Sequence, residues 1–424
     1  MRLRAAVFAS TSAMAMASSA MAQEASPIWH YWGAGAELQA IESVIQLDNK
    51  EYPDTPVVGQ VIPGNTVELR RQLQTALLGG TPPAAYQSAM GYEIKTFVDA
   101  DQLQPLDDIW KEVKGDKIFP TGLQRVMKID GVPYAIPLNM QTISNIFYNK
   151  KTFDENGWKA PTSFDELKAL CDKIKSTGKA CLANAGGPFW SLYNFYAPLL
   201  SVIGVDGYFN LASGKLAFDS PEFRKALTLY GDVYAKNYIN NWGGKTWAQG
   251  GDDVVAGRAV MYQMGDWVSG YFKDVKWTPG TDYDFFPAPG VGKAVLIQVD
   301  AIATPKGTEA TSAAAKNFLK TAASVEGQSG FNKFKGSVAA NLQTPNDIYD
   351  FVGKKTSTQL QAASADNAVV PNLFFLLPTE LGTELGVQLE KFAADPSEAT
   401  MESVVSTLEG LRTQAQAQNE FVTW

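Results

Sequence analysis

Short apolar runs alternate with segments of helical periodicity along the N-terminal part of the chain, and this alternation limits the possible folds strongly. The runs 28–32 and 57–62 have the length and apolar content of buried strands. The segments 37–45 and 66–77 place their apolar residues on one face of a helix. Strands that alternate with helices predict an α/β fold with a mostly parallel sheet and helices on both faces.

The stretch 254–272 combines a strand, a turn and an aromatic residue. Residues 259–262 form an apolar run, and Gly265 and Asp266 end it at a helix start, with Asp266 as the expected N-cap. Trp267 follows directly. Ligands of open α/β sheets bind beyond the carboxyl ends of the strands, so Trp267 can offer its ring to a ligand in a cleft. The alternative is a core tryptophan that closes the end of the sheet.

Two proline-containing runs mark places where the chain leaves one folded unit for another. The runs 132–148 and 282–307 combine proline with strand-like apolar residues, and proline confines strands to a sheet edge or exit. A chain of 424 residues is long enough for two hydrophobic cores. We expect two discontinuous lobes with crossings near 138–145 and 288–296. The N-terminal lobe would comprise residues 23–140 and 295–342, and the C-terminal lobe residues 141–294 and 343–424.

The first 22 residues have the features of a secretory signal peptide. Arg2 and Arg4 precede the apolar run 5–17, and Ala20-Met21-Ala22 provides a cleavage site before Gln23. No later stretch reaches the roughly 18–20 apolar residues that a membrane span needs, so we expect no membrane insertion. The sequence predicts an exported, periplasmic protein whose mature chain begins at Gln23.

The two cysteines, Cys171 and Cys181, lie ten positions apart. Cys171 belongs to a predicted helix that begins at the capping-box pattern of Ser163 and Glu166. In an exported chain we expect a disulfide that joins this helix to the following strand, and two buried free thiols are the alternative.

Few side chains are suited to catalysis or metal binding. The single histidine, His30, lies within the first strand-like run, and no nucleophile motif surrounds it. One histidine and two cysteines cannot form a usual zinc site, so we expect no metal, no cofactor and no catalytic residue. The 44 acidic residues contain many carboxylate pairs, which leaves a secreted carbohydrate-active enzyme as an alternative. A net charge of −8 argues against nucleic acid as a partner.

Aromatic side chains are plentiful at breaks between regular segments. Four of the ten tryptophans lie near glycine-rich or polar breaks: Trp32, Trp190, Trp247 and Trp267. A sugar presents a flat C–H face and a rim of hydroxyl groups, so its site combines an aromatic platform with amide or charged groups. The candidates for these polar groups are Gln87, Asn139, Gln141, Asp300 and Lys335. Each of them could instead have an ordinary surface or capping role.

Several stretches together resemble a known family. They are LLGGTPPAAYQ, DGVPYAIPLN, APTSFDELKALC, GKLAFDSPEF, VVAGRAVMYQMGDWVSGYF, KWTPGTDYDFFPAPG, TPKG and FNKFKGSVAANL. In this order the chain resembles the sugar-binding proteins of ABC transporters, of the family 1 extracellular solute-binding type, and most of all their glucose/mannose-binding branch. The resemblance implies a periplasmic-binding-protein fold with a hinge and an interlobe ligand cleft, a sugar ligand, ABC transporter permease subunits as partners, and a monomer. A chemosensory or structural adaptor is a further alternative.

The resemblance also implies the residues of the cleft. Trp32, Gln87, Trp190, Trp247, Trp267, Asp300 and Lys335 would line it. Trp267 would stack on the sugar, and Asp300 and Lys335 would bind its hydroxyl groups. Trp32, Gln87, Asp300 and Lys335 fall on the N-terminal lobe, and the other three fall on the C-terminal lobe, so a ligand would contact both lobes.

Three positions depart from the glucose-binding pattern. Ala89 and Gln141-Thr142 stand where the pattern has histidine and His-Arg, and the region of Phe374-Phe375 lacks a later histidine. A sugar hydroxyl buried without a partner costs roughly 1–3 kcal/mol. A pentose, a deoxy sugar or a longer glycoside should therefore bind better than glucose. We favour the monosaccharide because Gln141 and Thr142 can still form hydrogen bonds.

Overall fold

A computed structural model describes residues 24–307 and 309–424. The predicted signal peptide, residues 1–22, and its cleavage site before Gln23 lie outside the described residues.

The strands are short and mostly buried, and they follow one another along the chain in this order: β1 (Ser26–His30), β2 (Val57–Val61), β3 (Ala85–Ser88), β4 (Lys128–Ile129), β5 (Val132–Pro133), β6 (Ala135–Pro137), β7 (Asn139–Thr142), β8 (Asn145–Asn149), β9 (Ala180–Leu182), β10 (Ala259–Gln263), β11 (Tyr283–Pro287), β12 (Val295–Gln298), β13 (Ala301–Ala303), β14 (Val338–Ala339) and β15 (Val369–Pro371).

The α-helices alternate with these strands: α1 (Gly35–Glu51), α2 (Thr66–Leu78), α3 (Tyr92–Asp99), α4 (Asp107–Glu112), α5 (Gly115–Ile118), α6 (Thr121–Met127), α7 (Lys150–Asn156), α8 (Phe164–Ser176), α9 (Pro188–Ala212), α10 (Pro221–Val233), α11 (Trp247–Val255), α12 (Trp267–Asp274), α13 (Glu309–Ala323), α14 (Val325–Lys335), α15 (Phe351–Ala365), α16 (Thr379–Ala394) and α17 (Glu398–Ala417). A kink at Gly204 interrupts α9.

The sheet of the first lobe is mixed, so the expectation of a mostly parallel sheet is only partly met. Its strand order is β2-β1-β3-β13-β6. Strand β1 runs parallel to β2 and β3, whereas β13 runs antiparallel to both β3 and β6. Strands β1, β3 and β6 end at the edge where β13 begins. The chain re-enters this sheet at that edge, and β13 can only run the opposite way.

The second lobe contains a sheet with the order β11-β8-β10-β9. Its strand β10 contains the predicted run 259–262 and pairs with β8 in antiparallel and with β9 in parallel orientation. The residues of β10 are all buried. Two sheets with their own covering helices confirm the predicted α/β fold with two lobes.

A third sheet joins the two lobes, and we call it the linking sheet. Its order is β14-β7-β12-β15. Strand β7 lies between β6 of the first lobe and β8 of the second, and β12 lies between β11 of the second lobe and β13 of the first. The chain therefore changes sheets at two places close to the predicted crossings. The lobe boundaries given above remain a prediction.

The start of α8 follows its sequence signal in part. Ser163 caps the helix by accepting a hydrogen bond from the Glu166 N–H at 3.1 Å. The Glu166 carboxylate accepts from the Thr162 N–H at 2.7 Å, one residue earlier than a reciprocal capping box requires. Further along this helix, Cys171 forms a disulfide with Cys181 of β9, and their Cα atoms are 5.0 Å apart. The bridge ties the helix to a strand of the second lobe.

Replacing both cysteines by serine should lower the free energy of unfolding by about 2–4 kcal/mol, because the bridge restricts the unfolded chain. Denaturant unfolding of the wild type and of the Cys171→Ser/Cys181→Ser variant, followed by circular dichroism, measures this difference. Thiol counting on denatured, unreduced wild type is the accompanying control. Two free thiols per chain would contradict the bridge.

Candidate ligand-binding cleft

A cavity of about 340 Å³ opens above the linking sheet, with walls from both lobes. This volume lies near the lower end of the range of roughly 300–1,000 Å³ that is common for ligand sites. The first lobe contributes Tyr31, Trp32, Glu37, Gly64, Asn65, Thr66, Ala89, Asp300 and Lys335. The linking sheet and the segment after it contribute Gln141, Gln298 and Phe375, and the second lobe contributes Phe189, Trp190, Tyr193, Trp247 and Trp267.

Asp300 occupies the turn between β12 and β13 and is 95% buried, with only 5% of its surface exposed. One carboxylate oxygen accepts a hydrogen bond from Gln87 Nε2 at 3.2 Å, and the other accepts from Asn139 Nδ2 at 2.8 Å. The Asp300 N–H in turn donates to Asn139 Oδ1 at 2.8 Å. Gln87 and Asn139 therefore stand behind Asp300 and hold it, rather than forming the cavity wall themselves.

Lys335, the last residue of α14, places a positive charge beside this carboxylate. Its Nζ atom is 4.0 Å from Asp300 Oδ2 and also forms an ion pair with Glu37 of α1. Burial alone would lower the pKa of Lys335, but Glu37 and Asp300 outweigh it and raise that pKa above its usual value. Burial raises the pKa of Asp300, and Lys335 and the Asn139 amide oppose this shift. The pair presents a carboxylate acceptor next to an ammonium donor.

Three aromatic rings of the second lobe form what we call the aromatic wall. The Trp267 ring centroid lies 6.3 Å from that of Trp190 and 6.1 Å from that of Tyr193, and the latter two are 5.7 Å apart. Trp267 is half-buried. A Cβ atom on Gly265 would lie 1.9 Å from Cζ3 of Trp267, so the ring rests on the glycine backbone. Trp267 thus packs against its neighbours and also faces the cavity.

The other two predicted tryptophans differ in exposure. Trp32 exposes no surface and packs edge-on against Phe331 at 5.2 Å. Lys335 Nζ lies 6.0 Å from the centre of the Trp32 ring. Trp32 therefore lies next to the cavity but is covered, and it packs beside Lys335 instead of offering a face to a ligand. Trp247 is half-buried, begins α11 after a capping box, and packs against Tyr271 at 6.0 Å.

The positions that depart from the glucose-binding pattern lie in different environments. Ala89, Gln141 and Phe375 line the cavity. Phe374 packs against Phe189 at 4.7 Å. Thr142 instead donates its backbone N–H to Asp266 at 3.0 Å. Of the pair Gln141-Thr142, only Gln141 is a cavity residue.

Asp266 is not the side-chain cap that the sequence predicts. It stands before α12, but its carboxylate makes no capping hydrogen bond and binds Thr142 instead. The Asp266 N–H also donates to the Thr142 carbonyl at 3.0 Å. These two bonds attach the turn before Trp267 to the linking sheet. Burial raises the pKa of Asp266 from 3.8 to about 8, although the Thr142 hydrogen bonds and Lys335 oppose the shift.

Sequence reasoning missed several cavity residues. Tyr31 and Glu37 flank the carboxyl end of β1, which is where a ligand of such a sheet is expected, so position in the chain could have indicated them. Tyr193 lies one turn after Trp190 on α9 and therefore on the same helix face. Gln298 had no comparable signal, because its place depends on the pairing of β12 with β7.

Two further properties hold within residues 24–307 and 309–424. No group of three or more histidine, cysteine, aspartate or glutamate side chains in that part of the chain is placed to hold a metal ion. Its helices also include none that is long and apolar enough to cross a membrane.

Two α/β lobes that face each other across a cavity above a linking sheet define a solute receptor of the periplasmic-binding-protein fold. Residues 34–329 match the family model described as "Bacterial extracellular solute-binding protein". The chain belongs to this family.

Relatives agree with this assignment, and a solved structure agrees with the fold. The chain is 32% identical to an uncharacterized ABC transporter extracellular-binding protein of Pyrococcus horikoshii, over 84% of this chain and 82% of the relative. It is 30% identical to a probable sugar-binding periplasmic protein of Rhizobium meliloti, over 84% and 86% of the two chains. The bacterial solute receptor AcbH, described as exclusive for β-D-galactopyranose, has a similar structure, with a TM-score of 0.82, 22% identity and coverage of 94% and 99%. The likeness to AcbH concerns the fold.

The raised pKa of Asp266 predicts a stability that falls with pH. Between about pH 4 and 8 the folded protein binds this proton and the unfolded chain does not, so the free energy of unfolding decreases as pH rises through that window. Asp266→Asn replaces the protonated carboxyl by a neutral amide and should weaken this decrease. Thermal unfolding of both proteins from pH 5 to 9 measures the difference. Parallel pH profiles would show that Asp266 has an ordinary pKa.

Proposed function

We propose that this protein is the periplasmic sugar-binding component of an ABC-type importer, which takes a sugar into its interlobe cleft and delivers it to permease subunits in the membrane. The observation that carries the proposal is the cavity itself, where the aromatic wall faces the buried pair of Asp300 and Lys335. The name of the Rhizobium meliloti relative, a probable sugar-binding periplasmic protein, supports the same function.

The two sides of the cavity suit the two kinds of surface that a sugar has. Trp267 can cover the C–H face of the ring. Asp300 can accept hydrogen bonds from hydroxyl groups, and Lys335 can donate to them. A ligand held this way contacts both lobes at once, and such differential contact is what drives closure around a hinge. The receptor acts as a monomer without a cofactor, and its signal peptide is removed on export.

We propose a monosaccharide with fewer hydroxyl groups than glucose, such as a pentose or a deoxy sugar, as the preferred ligand. Ala89 and Phe375 offer no polar group to the cavity, and the Thr142 hydroxyl does not line it but accepts a hydrogen bond from Asn145 Nδ2 at 3.1 Å. Among the positions that differ from the glucose-binding pattern, Gln141 is then the one that still offers a polar group to the cavity. A volume of about 340 Å³ favours a small ligand over a longer glycoside.

The ligand leaves the protein chemically unchanged. The carboxylates that line the cavity belong to Asp300 and Glu37, and Lys335 lies against both of them. A pair of carboxyl groups that acts on a glycosidic bond needs one protonated acid and one carboxylate that is free to act as a base or nucleophile. The ammonium group that they share holds both carboxylates as acceptors for hydroxyl groups.

Titration calorimetry against D-xylose, L-arabinose, L-fucose, D-galactose, D-glucose and xylobiose tests this function. We expect a pentose or deoxy sugar to bind at least about tenfold more tightly than glucose, because each unpartnered hydroxyl weakens binding by roughly 1–3 kcal/mol. Chromatography of the recovered ligand should return the sugar unaltered. Absence of binding to every sugar, or release of a hydrolysis product, would overturn the function, and tight binding of glucose alone would overturn the preference.

Trp267→Ala should weaken binding of the preferred sugar by about 2–3 kcal/mol, the size of a lost buried aromatic contact. Calorimetry measures the affinity, and thermal unfolding shows whether the fold survives. Trp242→Ala is the matched control, because Trp242 is also half-buried in the second lobe but packs against Tyr238, away from the cavity. If Trp267→Ala kept its affinity and lost stability, Trp267 would be a core residue.

A further inference from the structure

Two glutamine side chains lie next to each other at the base of the cavity. Gln141 of β7 and Gln298 of β12 are direct partners in an antiparallel pair. Directly opposite residues of such a pair project from the same face of the sheet. Both residues line the cavity, so the linking sheet presents two amide groups to a ligand.

The orientation of the Gln298 amide follows from a chain of hydrogen bonds that starts at a backbone group. The Phe374 N–H can only donate, and it donates to Asn372 Oδ1 at 3.0 Å. The Tyr196 hydroxyl donates to the same oxygen. The other end of the Asn372 amide must then be its Nδ2 group, which donates to Gln298 Oε1 at 2.9 Å.

This chain leaves the Gln298 amide with one defined polarity. Its oxygen is directed at Asn372, which is fully buried. Its Nε2 group makes a long contact of 3.5 Å to the Val299 carbonyl and keeps a second N–H. A planar amide directs its nitrogen away from its oxygen, so the cavity side of Gln298 is a hydrogen-bond donor.

We propose that Asn372 is a positioning residue that determines specificity, because it fixes Gln298 as a donor to the ligand. This deepens the proposed function and rests on it. The Gln298 end of the cavity recognises an acceptor atom of the sugar that has lone pairs and no hydrogen, which in a free monosaccharide is the ring oxygen. The Asp300 end has the opposite requirement, since a carboxylate accepts from hydroxyl groups. The Gln298 donor and the Asp300 acceptor together select the orientation in which the sugar binds.

The variant Asn372→Asp tests this by reversing the Gln298 amide. One oxygen of the new carboxylate still accepts from Phe374 and Tyr196, and the other can only accept, so Gln298 must turn its Nε2 group towards it. The Gln298 oxygen then faces the acceptor atom of the sugar. We expect the affinity for the parent sugar to fall about tenfold, the size of one net hydrogen bond.

The experiment is a thermodynamic cycle in which the protein residue and the ligand atom are changed separately and together. Calorimetry compares D-xylose, D-galactose and D-glucose with their ring-carba and monodeoxy analogues, on the wild type and on Asn372→Asp. We expect the analogue that lacks the acceptor atom to bind the wild type about tenfold more weakly than its parent sugar does. On the variant, the analogue and its parent sugar should bind equally well, because the effects of two groups that interact are not additive. If the affinity losses caused by the variant and by the analogue add up for every analogue of a sugar that does bind, the positioning role of Asn372 is overturned. The proposed function would stand in that case.

Two further variants complete the experiment. Gln298→Glu keeps the contact with Asn372 and presents an oxygen to the cavity, so it must give the same non-additive pattern, including in the case that Asn372→Asp does not fold. Asn237→Asp is the matched control, because Asn237 is buried in the second lobe but lies outside the cavity. It should leave the ligand pattern unchanged. If the wild type binds neither these sugars nor the others of the panel given for the proposed function, that function falls as well.

Discussion

The burial of the Asp300 carboxylate is the constraint on which the site depends. A buried charge that loses its partners costs several kcal/mol, so hydrogen-bond donors and an opposite charge must converge on it from separate parts of the fold. Gln87 comes from β3, Asn139 from β7, and Lys335 from the end of α14. These elements meet only where the first lobe adjoins the linking sheet. The requirement of one carboxylate thus fixes the register of the strands that connect the two lobes.

The linking sheet has a second role, because it sets the position of the aromatic wall. Asp266 attaches the turn before Trp267 to Thr142, the residue that follows Gln141 in β7. Strand β7 therefore carries both the Gln141 amide that faces the ligand and the residue to which the turn before Trp267 is attached. A shift of β7 by one residue would turn the Gln141 side chain to the other face of the sheet and would move the Thr142 backbone groups away from Asp266. Ligand chemistry and lobe geometry are for this reason determined by a few adjacent backbone hydrogen bonds.

Local patterns in the sequence were sufficient for most individual elements and for the two-lobe α/β class, since periodicity and turn residues act over short distances. Trp190, Trp247 and Trp267, which the resemblance named, line the cavity, and their part in ligand binding stays a prediction. Sequence alone could not show that Gln87 and Asn139 stand behind Asp300, or that Trp32 is fully covered, because these facts depend on how distant strands pair. The antiparallel direction of β13 and the role of Gln298 depend on the same crossings.

The disulfide has a practical consequence for studying this molecule. The chain contains two cysteines, and Cys171 and Cys181 are bonded to each other within the second lobe. Neither lines the cavity. A single cysteine introduced at the rim would consequently be the unique reactive thiol of the oxidised protein, and a fluorophore attached there could report ligand occupancy in real time without removing any native side chain that supports the fold.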